Sequence, residues 1–352
     1  MKEKMIVVMA VWAISVLTAF HAESARGASE PFPVYASIAP NVRFWIDVYS
    51  RFPTTTGILH DNSDLNIVYG VLALLPPDQH GARKENGRRI RIAKDKYRTI
   101  LKRLAENPEA RDMEAQAIAA LFAPNTHSAA YRKAMQNIRC QIGQKDRFEE
   151  GLARSGPYLD RIKEIFRSNG MPEDLAYLPH VESSFNPKAY SKAGAAGIWQ
   201  FTRSTGRKFM RVGRGVDERC DPIRSSEAAA LLLEQNYRLL GSWPLAITAY
   251  NHGIAGLSRA KRKKGSEEAI FSDYTSRRFK FASRNFYPEF LAARHVASNH
   301  ERYFGLAETG PAKTDPFSTQ GIAWICAPSS QDNREVRAVP LLSPAFKQAL
   351  RE

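Results

Sequence analysis

Glu182 is the residue whose type and setting best suit acid–base chemistry. It follows Leu175, Leu178 and Val181 at helical spacing, near the end of a short helix that Pro172 introduces. A carboxylate in apolar surroundings is costly to ionise, so we expect its pKa to rise toward the range of a general acid. By itself, the pattern is more typical of a carboxylate at the rim of a helix than of a catalytic one.

Polar and glycine-rich segments follow Glu182. Residues 182–187 read ESSFNP, residues 189–200 read AYSKAGAAGIWQ, and residues 249–253 read AYNHG. The hydroxyl and amide groups in these segments, among them those of Ser191, Gln200, Tyr250 and Asn251, can form hydrogen bonds, and a tyrosine also offers a ring face.

Each of these side chains also has an ordinary structural interpretation. Ser191 can start a turn before Gly194, Gln200 can cap a helix, and Tyr250 can belong to the core. Trp199 suits a sugar platform or the core equally well. The glycines at 194 and 197 allow the backbone to pass close to a sugar chain or to the Glu182 helix, or they serve simple turns.

The three segments, in this order, resemble the lytic transglycosylase (SLT) domain of the goose-lysozyme-like superfamily, and residues 170–200 most resemble its membrane-bound lytic murein transglycosylase D branch. The resemblance extends from about residue 158 to residue 300. It implies a mainly α-helical, lysozyme-like catalytic domain with Glu182 as the catalytic acid. It further implies that Ser191 and Gln200 line the cleft, and that Tyr250 and Asn251 face the acid and the sugar.

Ordinary glycosidases use two carboxylates, whereas the motif supplies one. The next acids, Asp217, Glu218 and Asp221, lie in an arginine-rich stretch that predicts a loop. The resemblance implies that Glu182 alone protonates the β-1,4 bond between N-acetylmuramic acid and N-acetylglucosamine. It then takes the proton of the muramyl C6 hydroxyl, which attacks C1 and leaves a 1,6-anhydromuramyl end. No metal or organic cofactor is implied.

Two other functions stay open. A hydrolytic lysozyme-type muramidase would share the fold and the acid but would use water. A non-catalytic peptidoglycan-binding protein would keep the fold without turnover, although a pure binder has no need of a buried acid. The sequence also departs from many family members at residues 202–205, Thr-Arg-Ser-Thr, where they carry a proline.

The chain divides into four predicted segments. Residues 1–28 are a signal peptide, residues 29–150 an N-terminal region of unknown role that is partly helical, residues 151–300 the catalytic domain, and residues 301–352 a tail. Within the second segment, residues 42–49 and 67–75 favour β-structure, and residues 92–104, 111–122 and 129–142 favour helices. In the third, helices are expected after Ser225-Ser226-Glu227 and from Pro244, and Pro288 is expected to start another from Glu289 to His300.

The N-terminal pattern and the net charge limit the classes of partner that we expect for the protein. Lys2 and Lys4 precede a 16-residue apolar run and then small residues, a pattern typical of a cleaved secretory signal, and no lipobox cysteine follows it. We therefore expect a location in the periplasm or cell envelope, with membrane contact only through an uncleaved signal. The net charge of +15 suits an acidic partner. Export makes peptidoglycan glycan strands the expected partner and argues against nucleic acid.

Cysteine usage indicates no metal site. The chain has three cysteines, Cys140, Cys220 and Cys326, and none lies in a CxxC motif or a Cys/His cluster. One disulfide would be compatible with export, but the sequence does not choose the pair.

Overall fold

The computed structural model describes residues 30–305, except Arg111 and Arg214. The predicted signal peptide and all but the first five residues of the predicted tail lie outside this range. Every helix and strand described lies between residues 39 and 304. No described helix is both long and apolar enough to cross a membrane.

Helices dominate the described residues, which confirms the prediction of a mainly α fold. The first part of the chain contains α1 (Ala39–Ser50), β1 (Thr56–Asp61), β2 (Val68–Ala73), α2 (Ala82–Glu106), α3 (Met113–Ala119), α4 (Ser128–Asn137) and β3 (Ile138–Ile142). The second part contains α5 (Lys145–Ser155), α6 (Leu159–Ser168), α7 (Leu178–Ser183), α8 (Arg203–Gly206), α9 (Pro222–Leu240), α10 (Trp243–His252), α11 (Ile254–Lys264), α12 (Glu267–Asp273), α13 (Phe281–Ser298) and α14 (His300–Phe304). Two 3-10 helices span Glu173–Tyr177 and Glu218–Cys220.

A three-stranded antiparallel sheet of order β2-β1-β3 packs with α2, α3 and α4 around a separate apolar cluster. Tyr97, Leu101 and Leu104 of α2 are fully buried members of this cluster, and Ile118 and Tyr131 join it from the two shorter helices. The helix expected over residues 129–142 ends at Asn137 in the structure. The remaining residues form β3 because they pair with the open edge of β1.

Helix α1 packs along α13, although the two are far apart in sequence. The Asn285 side-chain oxygen accepts hydrogen bonds from Asn41 Nδ2 at 2.9 Å and from the Trp45 indole at 3.2 Å. Contacts therefore cross the predicted boundary at residue 150. The expectation of β-structure at residues 42–49 was wrong: a short apolar run does not distinguish a strand from a buried helix, and burial on several sides selects the helix.

Two helix starts differ from their predictions. Helix α9 begins at Pro222 because the Asp221 side chain accepts from the backbone N–H groups of Ile223 and Arg224, so Ser225 lies inside the helix. Pro288 lies in the interior of α13, which begins at Phe281. Proline costs this helix one backbone hydrogen bond, but the surrounding buried residues hold it in the core.

Candidate active site

Glu182 lies in the last turn of α7, as the sequence predicts. The 3-10 helix Glu173–Tyr177 runs directly into α7, and Ser184 ends it with a left-handed backbone, φ +50°. Phe185 also has a positive φ and is fully buried, which anchors the turn that follows. The Arg154 Nε donates to the Ser184 carbonyl at 2.9 Å. These contacts fix the end of the helix and so the place of the carboxylate.

Burial raises the pKa of Glu182 to about 8. The residue is nevertheless partly exposed to solvent, as a group that must reach a substrate requires. Within residues 34–305 the structure gives the Glu182 carboxylate no salt bridge and no hydrogen bond that would favour its charged form. The raised pKa agrees with the expectation for a carboxylate at the apolar end of a helix.

Two tyrosines, the buried Tyr49 and the partly exposed Tyr250, lie within the electrostatic reach of Glu182. Burial and the charge of Glu182 raise the pKa of Tyr250 on α10. Burial and the charges of Glu289 and Glu182 raise the pKa of Tyr49 on α1. The Tyr250 hydroxyl donates to the Trp199 carbonyl at 2.8 Å. Tyr250 was among the predicted site residues, whereas Tyr49 was not, because nothing in the local sequence connects α1 to residue 182.

A second carboxyl group, Glu289, belongs to the same site and was missed by the sequence analysis. It lies on α13, which packs against α7. Burial and the Glu182 charge raise its pKa to about 8, while the Arg139 charge acts in the opposite direction. A signal was present: Glu289 is the one acid in residues 285–291, which otherwise read NFYPFL around it. An acid in such a run is costly to bury and therefore a candidate for function.

The three acids weighed from sequence as possible partners are engaged in other contacts. Asp217 pairs with the buried Arg219 guanidinium, which lowers its pKa. Glu218 binds the backbone N–H and guanidinium of Arg211, which lowers its pKa. Asp221 caps α9. Their roles in the described structure are therefore to hold the loop and the helix start.

Arg219 organises the loop that follows Glu182. Its buried guanidinium donates to the carbonyls of Gly194 at 2.7 Å and Phe201 at 2.9 Å. Gly197 has φ +76°, and a Cβ there would lie 1.7 Å from the Arg219 carbonyl oxygen. The neighbour that requires this glycine is thus the Arg219 backbone, and not the Glu182 helix or a sugar. Gly194 also has a positive φ, but open space surrounds it.

Ser191 and Gln200 lie in this loop and are both partly exposed. The Ser191 hydroxyl accepts from the Ala195 N–H at 3.0 Å, which closes a tight turn. Gln200 has a left-handed backbone, and its Nε2 donates to the Gly197 carbonyl at 2.9 Å. Trp199 is fully buried and donates to the Ser226 hydroxyl at 2.7 Å, so it belongs to the core.

Asn251 is exposed in the last turn of α10 and contacts α13. Its Oδ1 accepts from the Ser283 hydroxyl at 3.4 Å, and the same hydroxyl lies 2.9 Å from His252 Nδ1. Among the predicted residues, Tyr250 is thus the one that the structure couples electrostatically to Glu182.

Ligands for a metal are not gathered in the described part of the chain. No group of three or more His, Cys, Asp or Glu side chains there could hold a metal ion. Cys140 and Cys220 are both free, and Cys326 lies outside the described residues.

The family model described as "Transglycosylase SLT domain" matches residues 162–271, which include Glu182 and the loop that Arg219 holds. Residues 162–271 therefore resemble SLT domains. The family predicted from the sequence motifs is therefore confirmed. Tyr49 and Glu289 lie outside the matched segment, on α1 and α13, and α13 packs against α7 of that segment.

Relatives of the SLT domain include the membrane-bound lytic murein transglycosylase D of Escherichia coli (strain K12), 34% identical over 164 residues, which are 46% of this chain and 36% of the relative. A putative tributyltin chloride resistance protein of Alteromonas sp. (strain M-1) is 37% identical over 110 residues, 31% of this chain and 53% of the relative. The membrane-bound lytic murein transglycosylase F of Serratia proteamaculans is 29% identical over 129 residues, 33% and 25% of the two chains. The chain thus spans about half or less of each relative.

Proposed function

We propose that the protein is a peptidoglycan lytic transglycosylase with Glu182 as its general acid and base. The observation that carries the proposal is the raised pKa of Glu182, about 8, inside an SLT domain. A carboxyl with this pKa is mostly protonated at neutral pH, so it can donate a proton to a glycosidic oxygen. The names of the relatives in Escherichia coli and Serratia proteamaculans support murein as the substrate.

The proposed reaction cleaves the β-1,4 bond between N-acetylmuramic acid and N-acetylglucosamine. Glu182 gives its proton to the leaving oxygen as the C1–O bond breaks, and the resulting carboxylate takes the proton of the muramyl C6 hydroxyl. The C6 oxygen then bonds to C1 and closes the 1,6-anhydro ring. Because the nucleophile is part of the substrate, its effective concentration is high and no carboxylate is needed to activate water.

Four side chains are proposed to hold the glycan beside Glu182. Gln200 uses its NH2 group on backbone carbonyls, so its side-chain oxygen is the atom available to accept from a substrate hydroxyl. Ser191 and Asn251 offer a hydroxyl and an amide at partly or fully exposed positions. Tyr250 is proposed to steady the developing charges next to Glu182, to which it is electrostatically coupled.

Glu289 makes a hydrolytic muramidase the second candidate, because a hydrolase needs a further carboxylate to activate water or to act as nucleophile. Its pKa of about 8 argues against that role at neutral pH, since a protonated carboxyl is a poor base. The transglycosylase is therefore the favoured candidate. We also propose that the protein works in the cell envelope, in agreement with its charge and with the membrane-bound relatives.

Digestion of purified sacculi in oxygen-18 water tests the reaction. A transglycosylase releases anhydromuramyl ends without the label, which weigh one water less than hydrolysis products and resist borohydride reduction. A muramidase puts the label into new reducing ends. Labelled, reducible ends in most fragments would contradict the transglycosylase and favour the second candidate, and no release of fragments would contradict both.

A further inference from the structure

A basic pocket of about 370 Å³ lies at the start of α13. Three cationic side chains line it, Arg139 from β3, Lys280 just before α13, and Arg284 in the first turn. Asn62, Thr275 and Ser276 add an amide and two hydroxyl groups. The pocket thus gathers hydrogen-bond donors and positive charge from segments far apart in sequence.

The three cations of the basic pocket form no salt bridge with a carboxylate within residues 34–305. Glu289 is the carboxyl group whose charge acts on Arg139. The Nε of Arg284 is buried and has no hydrogen-bond partner among these residues. A buried donor without a partner destabilises the protein, so a ligand that supplies an acceptor would recover this free energy.

Two further features suit the basic pocket to an anion. The Arg139 guanidinium lies over the Phe281 ring, 4.1 Å from its centroid, which limits its movement. Helix α13 begins beside the pocket, and its unpaired N-terminal N–H groups place the positive end of the helix dipole there. Planar guanidinium groups match the two oxygens of a carboxylate.

The basic pocket adjoins the candidate active site. Arg284 is five residues before Glu289 on α13, which is about 7.5 Å along a helix axis. Phe279 in the pocket wall packs against His252, the neighbour of Asn251, with ring centroids 5.2 Å apart. The Arg139 charge acts on Glu289. A ligand group beside Glu182 and one in the pocket can therefore belong to the same substrate molecule.

We propose that the basic pocket binds a carboxylate of the stem peptide that a muramyl residue carries. This inference rests on the proposed function, because that function makes peptidoglycan the substrate. The stem peptide starts at the lactyl group of the muramyl ring, so it extends from the glycan near the cut bond and presents several carboxylates. The pocket would select strands that still carry peptides over stripped strands.

Binding of a free stem tetrapeptide, measured by calorimetry, tests the pocket without any need for turnover. The matched ligand is the same peptide with its carboxylates converted to amides. We expect the acid form to bind the wild-type protein at least tenfold more tightly than the amidated form. Lys280→Ala, at an exposed position, and Arg284→Gln should each remove most of this difference. Lys263→Ala removes an equal charge from an exposed position on α11 and should leave the difference unchanged.

Equal binding of the two peptides, binding of neither, or the same loss in Lys263→Ala would overturn the pocket proposal. Thermal unfolding of each variant shows whether it is folded, and Lys280→Ala keeps the test decisive if Arg284→Gln is unstable. The proposed function fails separately, in the digestion of sacculi. If the protein binds the acid peptide but releases no fragments, the pocket proposal stands and the transglycosylase proposal is contradicted.

Discussion

Glu182 and Glu289 are two partly exposed carboxyl groups that come from distant parts of the chain and interact electrostatically. Each has a pKa raised to about 8, and the charge of Glu182 contributes to the shift of Glu289. Because repulsion between two carboxylates is mutual, their protons leave in coupled steps. At neutral pH the pair keeps a proton, which is the state that a general acid needs.

Glu182→Gln should remove nearly all murein cleavage and leave the fold intact. Glutamine has almost the same shape, but it cannot donate a proton at the working pH. Release of soluble muropeptides from sacculi measures the activity, and circular dichroism checks the fold. The control is Glu149→Gln, at an exposed position on α5, which should keep wild-type activity. A Glu182→Gln variant with a tenth of wild-type turnover would exclude Glu182 as the acid.

Glu289→Gln should move the alkaline limb of the pH–activity profile to lower pH. Activity falls as the pH rises through the pKa of Glu182, because the protonated acid is lost. An ionised Glu289 disfavours ionisation of Glu182, so removing its charge lowers the pKa of Glu182. The pH profile of kcat/KM shows the shift, and Glu149→Gln should not produce it. An unmoved limb would mean that Glu289 does not interact with the acid.

The same two carboxyls should make folding stability depend on pH. Their pKa of about 8 in the folded state exceeds the ordinary value of about 4.5 in the unfolded chain. The folded state therefore holds more protons between these values, and stability falls as the pH rises from about 4.5 to about 8, by at most about 1.4 kcal/mol per pH unit for each group. Urea unfolding of wild type and Glu182→Gln across this range should show a shallower slope in the variant. Equal slopes would contradict the raised pKa.

At the scale of the elements, the sequence predicted the helix that carries Glu182 and the helix that carries Tyr250. Each has local signals: Pro172 and the apolar spacing for the first, Pro244 and Gly253 for the second. Glu289 was not predicted, because Pro288 indicated a helix start and the true start, Phe281, has no capping side chain. The burial of Glu289 depends on α1 and α7, which no local pattern brings to α13.

Gly197 and Gly194 lie in the loop after Glu182, and the structure requires glycine there for different reasons. Both have a positive φ, which disfavours any residue with a Cβ, but only at Gly197 would the Cβ meet the Arg219 carbonyl oxygen. Gly194→Ala should cost about 1 kcal/mol of folding stability. Gly197→Ala should cost clearly more and reduce murein cleavage, because the loop that carries Gln200 must shift. Urea unfolding measures both variants, and equal costs would contradict the close approach.

At the scale of the whole molecule, the matched SLT segment is smaller than the unit that builds the site. Tyr49 and Trp45 on α1 and Glu289 and Asn285 on α13 lie outside residues 162–271. The family motifs predicted the acid and the loop, because those residues are adjacent in sequence. The helices around them could not be predicted, since long-range packing, and not local spacing, places them against the domain.

Helix α1 should therefore be required for a stable catalytic unit. Without it, α13 loses the Trp45 hydrogen bond to Asn285, and the apolar surfaces of α13 and Phe148 that Trp45 and Tyr49 cover become exposed. A fragment of residues 151–305 should lack the cooperative thermal unfolding of a fragment of residues 34–305 and should bind a hydrophobic dye. In the full chain, Trp45→Ala should cost about 3 to 5 kcal/mol. Ile92→Ala, at a position 48% exposed on α2, should stay within about 0.5 kcal/mol. Cooperative unfolding of the shorter fragment at the temperature of the longer one would show that residues 151–305 hold a complete core and that the boundary at residue 150 divides two independent domains.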